Sequence, residues 1–198
     1  LETGAALIDA TDAQTVAVRA EARFLATGDA DDVVRAEADI AIAFTGAGAD
    51  TVLNDAAAGT LFTGAGDDIA VNNWMIDRLW LGAGDDRLIN TGQLGRVDAG
   101  AGDDLLYFAP TASGALEIRG GTGADTFFFD AAPATFTIAD FEAVDRIDLS
   151  GIEGAVEPVF RETVAGARYD ILIDGEATGL AVELDGRFEP LGEDAFIF

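Results

Sequence analysis

Thr63-Gly-Ala-Gly-Asp-Asp68 has near copies in Thr45-Gly-Ala-Gly-Ala-Asp50, Leu81-Gly-Ala-Gly-Asp-Asp86 and Ala99-Gly-Ala-Gly-Asp-Asp104. Their first glycines, Gly46, Gly64, Gly82 and Gly100, recur at one constant interval. A worn copy precedes them at Gly28 to Asp32, and the fullest copy, Gly120-Gly-Thr-Gly-Ala-Asp125, follows after a slightly longer interval. Self-similarity at a fixed pitch is the mark of a solenoid, in which each repeat is one coil stacked on the last.

Each copy runs past its aspartate into a short apolar segment: Thr51-Val-Leu53, Ile69-Ala-Val71, Arg87-Leu-Ile89, Leu105-Leu-Tyr107 and Thr126-Phe-Phe128. A second run lies halfway round, at Thr60-Leu-Phe62, Arg78-Leu-Trp80, Arg96-Val-Asp98 and Glu117-Ile-Arg119. Strand side chains alternate faces, so the middle residue of each triplet points inward. Stacking coils about 4.8 Å apart in parallel register then builds two walls. Val52, Ala70, Leu88, Leu106 and Phe127 form one; Leu61, Leu79, Val97 and Ile118 form the other. The expected fold class is therefore all-β. With two such side chains per coil the core is thin. Burying one gains about 1.5–3 kcal/mol, against about 1–2 kcal/mol of backbone entropy for every ordered residue.

The turns are where further cohesion is expected. Glycine at the second and fourth positions permits positive φ and brings carbonyl oxygens together with no Cβ in the way. Aspartate at the sixth adds an anionic oxygen, and oxygen-only donor sets suit Ca²⁺. One turn supplies half a cage, and the turn one coil later supplies the other half.

These turns resemble the Gly-Gly-x-Gly-x-Asp-x-hydrophobic-x nonapeptide of RTX proteins, whose repeats bind Ca²⁺. The resemblance implies a parallel β-roll with 18-residue coils over residues 27–129, after one or more degenerate coils over 1–26. It implies about four to five calcium ions along one edge. Their ligands would be carbonyls near Gly46, Gly48, Gly64, Gly66, Gly82, Gly84, Gly100, Gly102, Gly121 and Gly123, with carboxylates from Asp50, Asp68, Asp86, Asp104 and Asp125. A weaker site would involve Gly28, Ala30 and Asp32. The chain departs from the family pattern where Thr45, Thr63, Leu81 and Ala99 replace the first glycine. The alternate nonapeptides, beginning at Asn54, Asn72 and Asn90, lack the motif altogether, so calcium is expected on one edge and a stacked amide ladder on the other.

Composition sharpens this. The chain has 198 residues, with 37 Asp and Glu against 11 basic residues, all Arg, giving a net charge of -26. A polyanion of this size repels nucleic acid and anionic lipid, so neither is an expected partner. Asp67-Asp68, Asp85-Asp86 and Asp103-Asp104 stack like charges along one edge, which opposes folding unless cations intervene. Cysteine is absent, as fits an exported protein stapled by metal instead of disulfides. The longest uncharged stretch, Leu105–Leu116, is too short for a membrane span. No amino-terminal segment has the layout of a Sec signal. A chain that opens on Leu1 is expected to be a fragment or processed product.

Beyond Phe129 the pitch is lost. Thr137-Ile-Ala-Asp140-Phe-Glu-Ala-Val-Asp145-Arg-Ile-Asp-Leu-Ser150 resembles the segment that follows the roll in serralysin-type metalloproteases and other type I secretion substrates. It is one residue and one glycine short between its first two aspartates. Tyr169–Asp174, Leu180–Leu184 and Phe196–Phe198 read as antiparallel strands joined by turns at Asp174-Gly175 and Asp185-Gly186. Residues 130–198 are thus expected to cap the open end of the solenoid. The last six residues resemble the uncleaved terminal signal of type I substrates.

With neither His nor Cys, the chain holds no H-E-x-x-H motif, no Ser-His-Asp triad and no thiol nucleophile. Any catalytic domain is expected outside it. The reading is a calcium-binding module of a type I secreted, extracellular protein of a Gram-negative bacterium. It would pass the secretion channel unfolded and serve a parent catalytic or adhesive domain, such as that of a serralysin-like protease. Two alternatives stand beside it: a surface-assembly module of S-layer or adhesin type, and a polysaccharide-active solenoid enzyme. The row Phe44, Phe62 and Trp80, with Trp74 and Met75 nearby, is a docking face, a sugar-stacking platform or simply self-packed. Leu53, Val71, Ile89, Tyr107 and Phe128 are expected to lie under a covering segment. Arg78, Arg87 and Arg96 are expected to offset neighbouring acids.

Overall fold

The computed structural model describes residues 4–10, 12–113, 117–130 and 134–198, with side chains from residue 12 onward. The start of the chain at Leu1 and the end of its long uncharged stretch lie outside these residues. The constant pitch becomes strand register directly. Strands Val33–Ala36, Thr51–Asn54, Ile69–Asn72, Arg87–Asn90 and Leu105–Phe108 pair in parallel, each residue opposite its equivalent one coil away. Longer strands, Ala22–Gly28, Ile40–Ala47, Ala57–Ala65, Met75–Ala83, Gln93–Ala101 and Glu117–Thr122, do the same in a second sheet. The chain alternates between the two, so each coil is one narrow-sheet strand, one wide-sheet strand and two turns, with the core between. A parallel β-solenoid is therefore the fold.

The strands exceed the expected triplets. The narrow ones span four residues, and the wide ones span up to nine and run into the glycine turns. The interior is correspondingly broader than two side chains per coil. Val52, Ala70, Leu88, Leu106 and Phe127 are buried as expected, as are Leu61, Leu79, Val97 and Ile118. A third row, Ala58, Ile76 and Leu94, is buried beside them. So are Thr45, Thr63, Leu81 and Ala99, the residues standing where the nonapeptide has its first glycine. That position faces the core, which rewards a side chain. The threonines are satisfied there by donating to the carbonyl of the next coil, Thr45 Oγ1 to Thr63 O at 2.8 Å and Thr63 Oγ1 to Leu81 O at 2.7 Å.

Parallel pairing runs on past Phe129. Thr135–Ile138 pairs with Glu117 and Ile118, and Arg146–Asp148 pairs with Thr126 to Phe128, so the changed spacing lengthens a coil without ending the stack. Glu176–Asp185 then adds in parallel to Thr135–Ile138. It turns the sheet antiparallel through Gly166–Ile173 to Val156–Glu162. The turn at Asp174-Gly175 forms as expected, with φ of 54° and 81°, the pair of left-handed residues that a tight hairpin needs. Two expectations fail at this end. Asp185-Gly186 terminates a strand without starting a hairpin, because the chain crosses there to the other sheet. Phe196–Ile197 pairs in parallel with Ile147 and Asp148 instead of antiparallel. Pro158 lies in the outermost strand of the meander, where its missing N–H costs no ladder bond.

Phe44, Phe62 and Trp80 stack on one another, with ring centroids 4.6 and 4.8 Å apart and planes within 11°. Arg96 pairs with Glu117. Arg78 and Arg87 make no ion pair among the described residues. Leu53, Val71, Ile89, Tyr107 and Phe128 remain half-exposed on the outer face of the narrow sheet.

Candidate metal-binding edge

The glycine turns lie along one edge, each leading from a wide-sheet strand into a narrow one. Gly46, Gly48, Gly64, Gly66, Gly82, Gly84, Gly100, Gly102, Gly121 and Gly123 all have φ between 97° and 137°. The requirement is steric as well as conformational. A Cβ on Gly64 would fall on the carbonyl oxygen of Gly46, and one on Gly66 on that of Gly48. Successive turns therefore nest backbone on backbone. In the worn turn Gly28 keeps a positive φ of 149° and Ala30 does not have one, so that turn has half the geometry of the others.

Asp32, Asp50, Asp68, Asp86, Asp104 and Asp125 are each at most 2% exposed. Their side chains fold under the turns. The Oδ1 atoms accept the backbone N–H of the equivalent aspartate one coil earlier: Asp32 N–H donates to Asp50 at 2.7 Å, Asp50 to Asp68 at 2.7 Å, Asp68 to Asp86 at 2.8 Å, Asp86 to Asp104 at 2.7 Å and Asp104 to Asp125 at 3.0 Å. Each Oδ2 is buried with no hydrogen-bond partner among the described residues. The outer aspartates Asp31, Asp67, Asp85 and Asp103 form a second, exposed ladder of opposite sense, accepting from Ala49, Asp85, Asp103 and Ala124 of the following coil.

The electrostatics follow from the stacking. Burial is the largest influence, and it pushes Asp50 and Asp104 up to about 6 and Asp86 and Asp125 up to about 7. The rise is opposed in Asp50 by the nearby Thr45 hydroxyl and then by a backbone donor, and in the others by backbone donors, with the Thr63 hydroxyl also near Asp68. Neighbouring aspartates add to it; Asp86 feels both Asp104 and Asp68. Asp68 is likewise raised by burial. An isolated buried carboxylate that lacks a partner on one oxygen is costly, and it is relieved by a proton or by a cation.

The donor set suits a hard cation. No three carboxylates converge on one point among the described residues, so an ion here would take most of its ligands from turn carbonyls and one or two from the orphaned Oδ2 atoms. Such an all-oxygen set, loosely arranged and of mixed charge, is the type Ca²⁺ accepts and Zn²⁺ does not favour. All the residues named from the sequence stand together on this edge.

Asp140 and Asp145, whose part the shortened spacing of the serralysin-like segment left open, also stand on this edge. Asp145 is 1% exposed and extends the inner ladder, accepting Asp125 N–H at 3.1 Å and Glu142 N–H at 2.7 Å. Asp140 accepts the N–H groups of Gly120 and Gly121 at 3.0 and 3.1 Å. Burial raises both. The signal that could have found Asp145 is the Asp-x-apolar sequence shared by Asp125-Thr-Phe127 and Asp145-Arg-Ile147. The opposite edge carries the expected amide ladder. Asn54 Nδ2 donates to Asn72 Oδ1 at 2.9 Å and Asn72 Nδ2 to Asn90 Oδ1 at 2.7 Å, all three fully buried. Comparison with models of protein families gives no match for this chain, and no curated protein matches it.

Proposed function

We propose that this chain is a calcium-responsive folding and export module of a secreted protein. The observation that carries the reading is the column of buried Asp Oδ2 atoms without hydrogen-bond partners, set directly beneath nested glycine turns. Without cations the stacked carboxylates repel and the array is held open. In millimolar Ca²⁺, sites of extracellular type fill. Ions that bind only the folded state add about 1.4 kcal/mol per site at ten times the dissociation constant. Four or five such sites supply roughly 6–7 kcal/mol, comparable to the stability of a whole domain. Passage through a type I channel as an unfolded chain, followed by folding outside the cell, is the use this switch suits, and a parent catalytic or adhesive domain is its cargo.

The test is circular dichroism in EGTA and during Ca²⁺ titration. A chain only marginally folded in EGTA at neutral pH, which gains β-structure cooperatively with Ca²⁺, is the expected result. Full β-structure in chelator, unchanged by Ca²⁺, would overturn the reading.

One observation favours a second use, as a surface-assembly module. The outer face of the narrow sheet carries a cleft of about 370 Å³ lined by Arg87, Ile89, Leu105, Tyr107 and Phe128. Calcium-dependent oligomers on a sizing column, lost in Tyr107→Ser, would support assembly; a strict monomer would oppose it.

A further inference from the structure

The edge opposite the glycine turns carries a cleft of about 350 Å³, lined by Asn73, Trp74, Thr91, Gln93, Thr111 and Ser113 among others. None of its lining residues is charged, in a chain where 24% of residues are. Trp74 is 64% exposed. The register explains why its ring is uncovered. Met75 pairs with Ala57 and with Gln93, and Gln93 bridges to Ser113, so the positions stacked with Trp74 are Ala56, Gly92 and Ala112. All three are small, and none can cover an indole face. The contrast is Trp80, whose ring is stacked on Phe62.

The cleft is also held in place. The backbone N–H of Trp74 donates to Asn72 Oδ1 of the buried amide ladder at 3.3 Å, and the backbone N–H of Gln93 donates to Trp74 O at 2.6 Å. A Cβ on Gly92 would strike the Trp74 carbonyl. Asn73 Nδ2 donates to Asp55 at 2.8 Å, and Thr91 Oγ1 donates to Asn73 Oδ1 at 3.1 Å. The Asn73 amide is thereby oriented and keeps one N–H, while the Gln93 amide and the Ser113 hydroxyl are exposed at the rim.

We propose that this cleft binds neutral oligosaccharides, with Trp74 as the stacking platform. A pyranose has an apolar face of C–H groups and a rim of hydroxyls. It therefore matches a flat aromatic surface bordered by amide and hydroxyl groups that both donate and accept. The chain's charge selects against phosphorylated and acidic ligands, and the cleft's volume suits one or two sugar rings. The site lies on the edge away from the aspartate column and takes none of its contacts from a metal bound there.

The experiment is titration of the full chain, with folding verified by circular dichroism in the same buffer, against cello-, chito- and malto-oligosaccharides and polygalacturonate. Isothermal calorimetry and tryptophan fluorescence report binding. Saturable binding of at least one neutral series is expected, weakened about tenfold or more by Trp74→Ala and about threefold by Gln93→Ala. Trp80→Ala should leave it unchanged. No neutral saccharide bound, binding of polygalacturonate alone, or affinity indifferent to Trp74→Ala each overturns the site. Because folding is read separately, a failure of calcium dependence leaves this outcome distinct.

Discussion

The two edges of the solenoid solve the same stacking problem with different side chains, and they differ in what is left over. On one edge Asn54, Asn72 and Asn90 each place a donor and an acceptor on the same amide, so the ladder propagates itself and only its end atoms, Asn54 Oδ1 and Asn90 Nδ2, lack partners. The ends are set by sequence, since Ala36 and Phe108 occupy the next positions. On the other edge each carboxylate only accepts. It borrows a backbone N–H for one oxygen and leaves the second unpartnered from Asp32 to Asp125. A neutral amide column satisfies itself everywhere but at its two ends; a carboxylate column is complete only with protons or cations.

Several substitutions break or sharpen this contrast. The largest effect is expected from Gly64→Ala, which places a Cβ on the Gly46 carbonyl at a φ of 118°. A loss of about 4 kcal/mol or more should appear in denaturant melts in Ca²⁺. Asn72→Leu cuts the amide ladder in its middle, leaving Asn54 Nδ2 only the Met75 carbonyl and stripping Asn90 Oδ1 of its donor. A stranded buried group costs about 1–3 kcal/mol, in chelator and in Ca²⁺ alike.

Asp86→Asn should behave in the opposite way. Its Oδ1 still accepts the Asp68 N–H, while the buried charge disappears. Metal-free stability should rise and the gain from Ca²⁺ should shrink by about 1–3 kcal/mol, since the two proposed sites beside it would lose a ligand. Equal loss with and without Ca²⁺ would refute the difference between the edges.

The pH response gives a test without mutation. Burial lifts Asp50, Asp86, Asp104 and Asp125 from 3.8 to about 6 or 7, so the folded state binds more protons than the unfolded chain between these values. Metal-free stability should therefore fall as pH rises from about 4 to about 7, then level off. The pairs of Glu117 with Arg96 and of Asp170 with Arg168, which lower those two carboxylates, act in the opposite direction. They are solvent-screened and worth at most about 1 kcal/mol each. In excess Ca²⁺ the slope should reverse, because ions displace protons from the column. Chemical denaturation at several pH values, with and without Ca²⁺, reads both slopes. The smallest effect is expected from Thr63→Val, which removes one buried hydroxyl bond to Leu81 O at nearly constant shape and should cost about 1 kcal/mol.

Much of this was legible in the sequence because a fixed pitch is register. Once Gly46, Gly64, Gly82 and Gly100 are aligned, the inward rows, the aspartate column and the asparagine ladder follow by alternation. What escaped had physical causes. Thr63 and Leu81 look like lost glycines when matched to a motif, yet their position faces the core. The row Ala58, Ile76 and Leu94 keeps the same pitch, but its mixture of sizes conceals it from a search for bulky triplets. The sequence named Asp145 but did not place it in the column, because the coil length changes there. The parallel docking of Phe196–Ile197 depends on a partner far back in the chain, at Ile147 and Asp148, which no local turn signal specifies.

The inner aspartate ladder also has a direction. Every rung needs the carboxylate of the following coil, except the last: Asp145 takes one N–H from Glu142, close by in its own coil, and so closes on itself. In the same coils Phe108, Phe127, Phe129 and Phe136 fill the interior, three of them with their rings packed together in line with the asparagine ladder, a denser nucleus than the alanines and valines of the early coils. Winding is thus favoured to begin at the carboxyl-terminal coils and travel backward, each newcomer docking its amide onto an acceptor already in position.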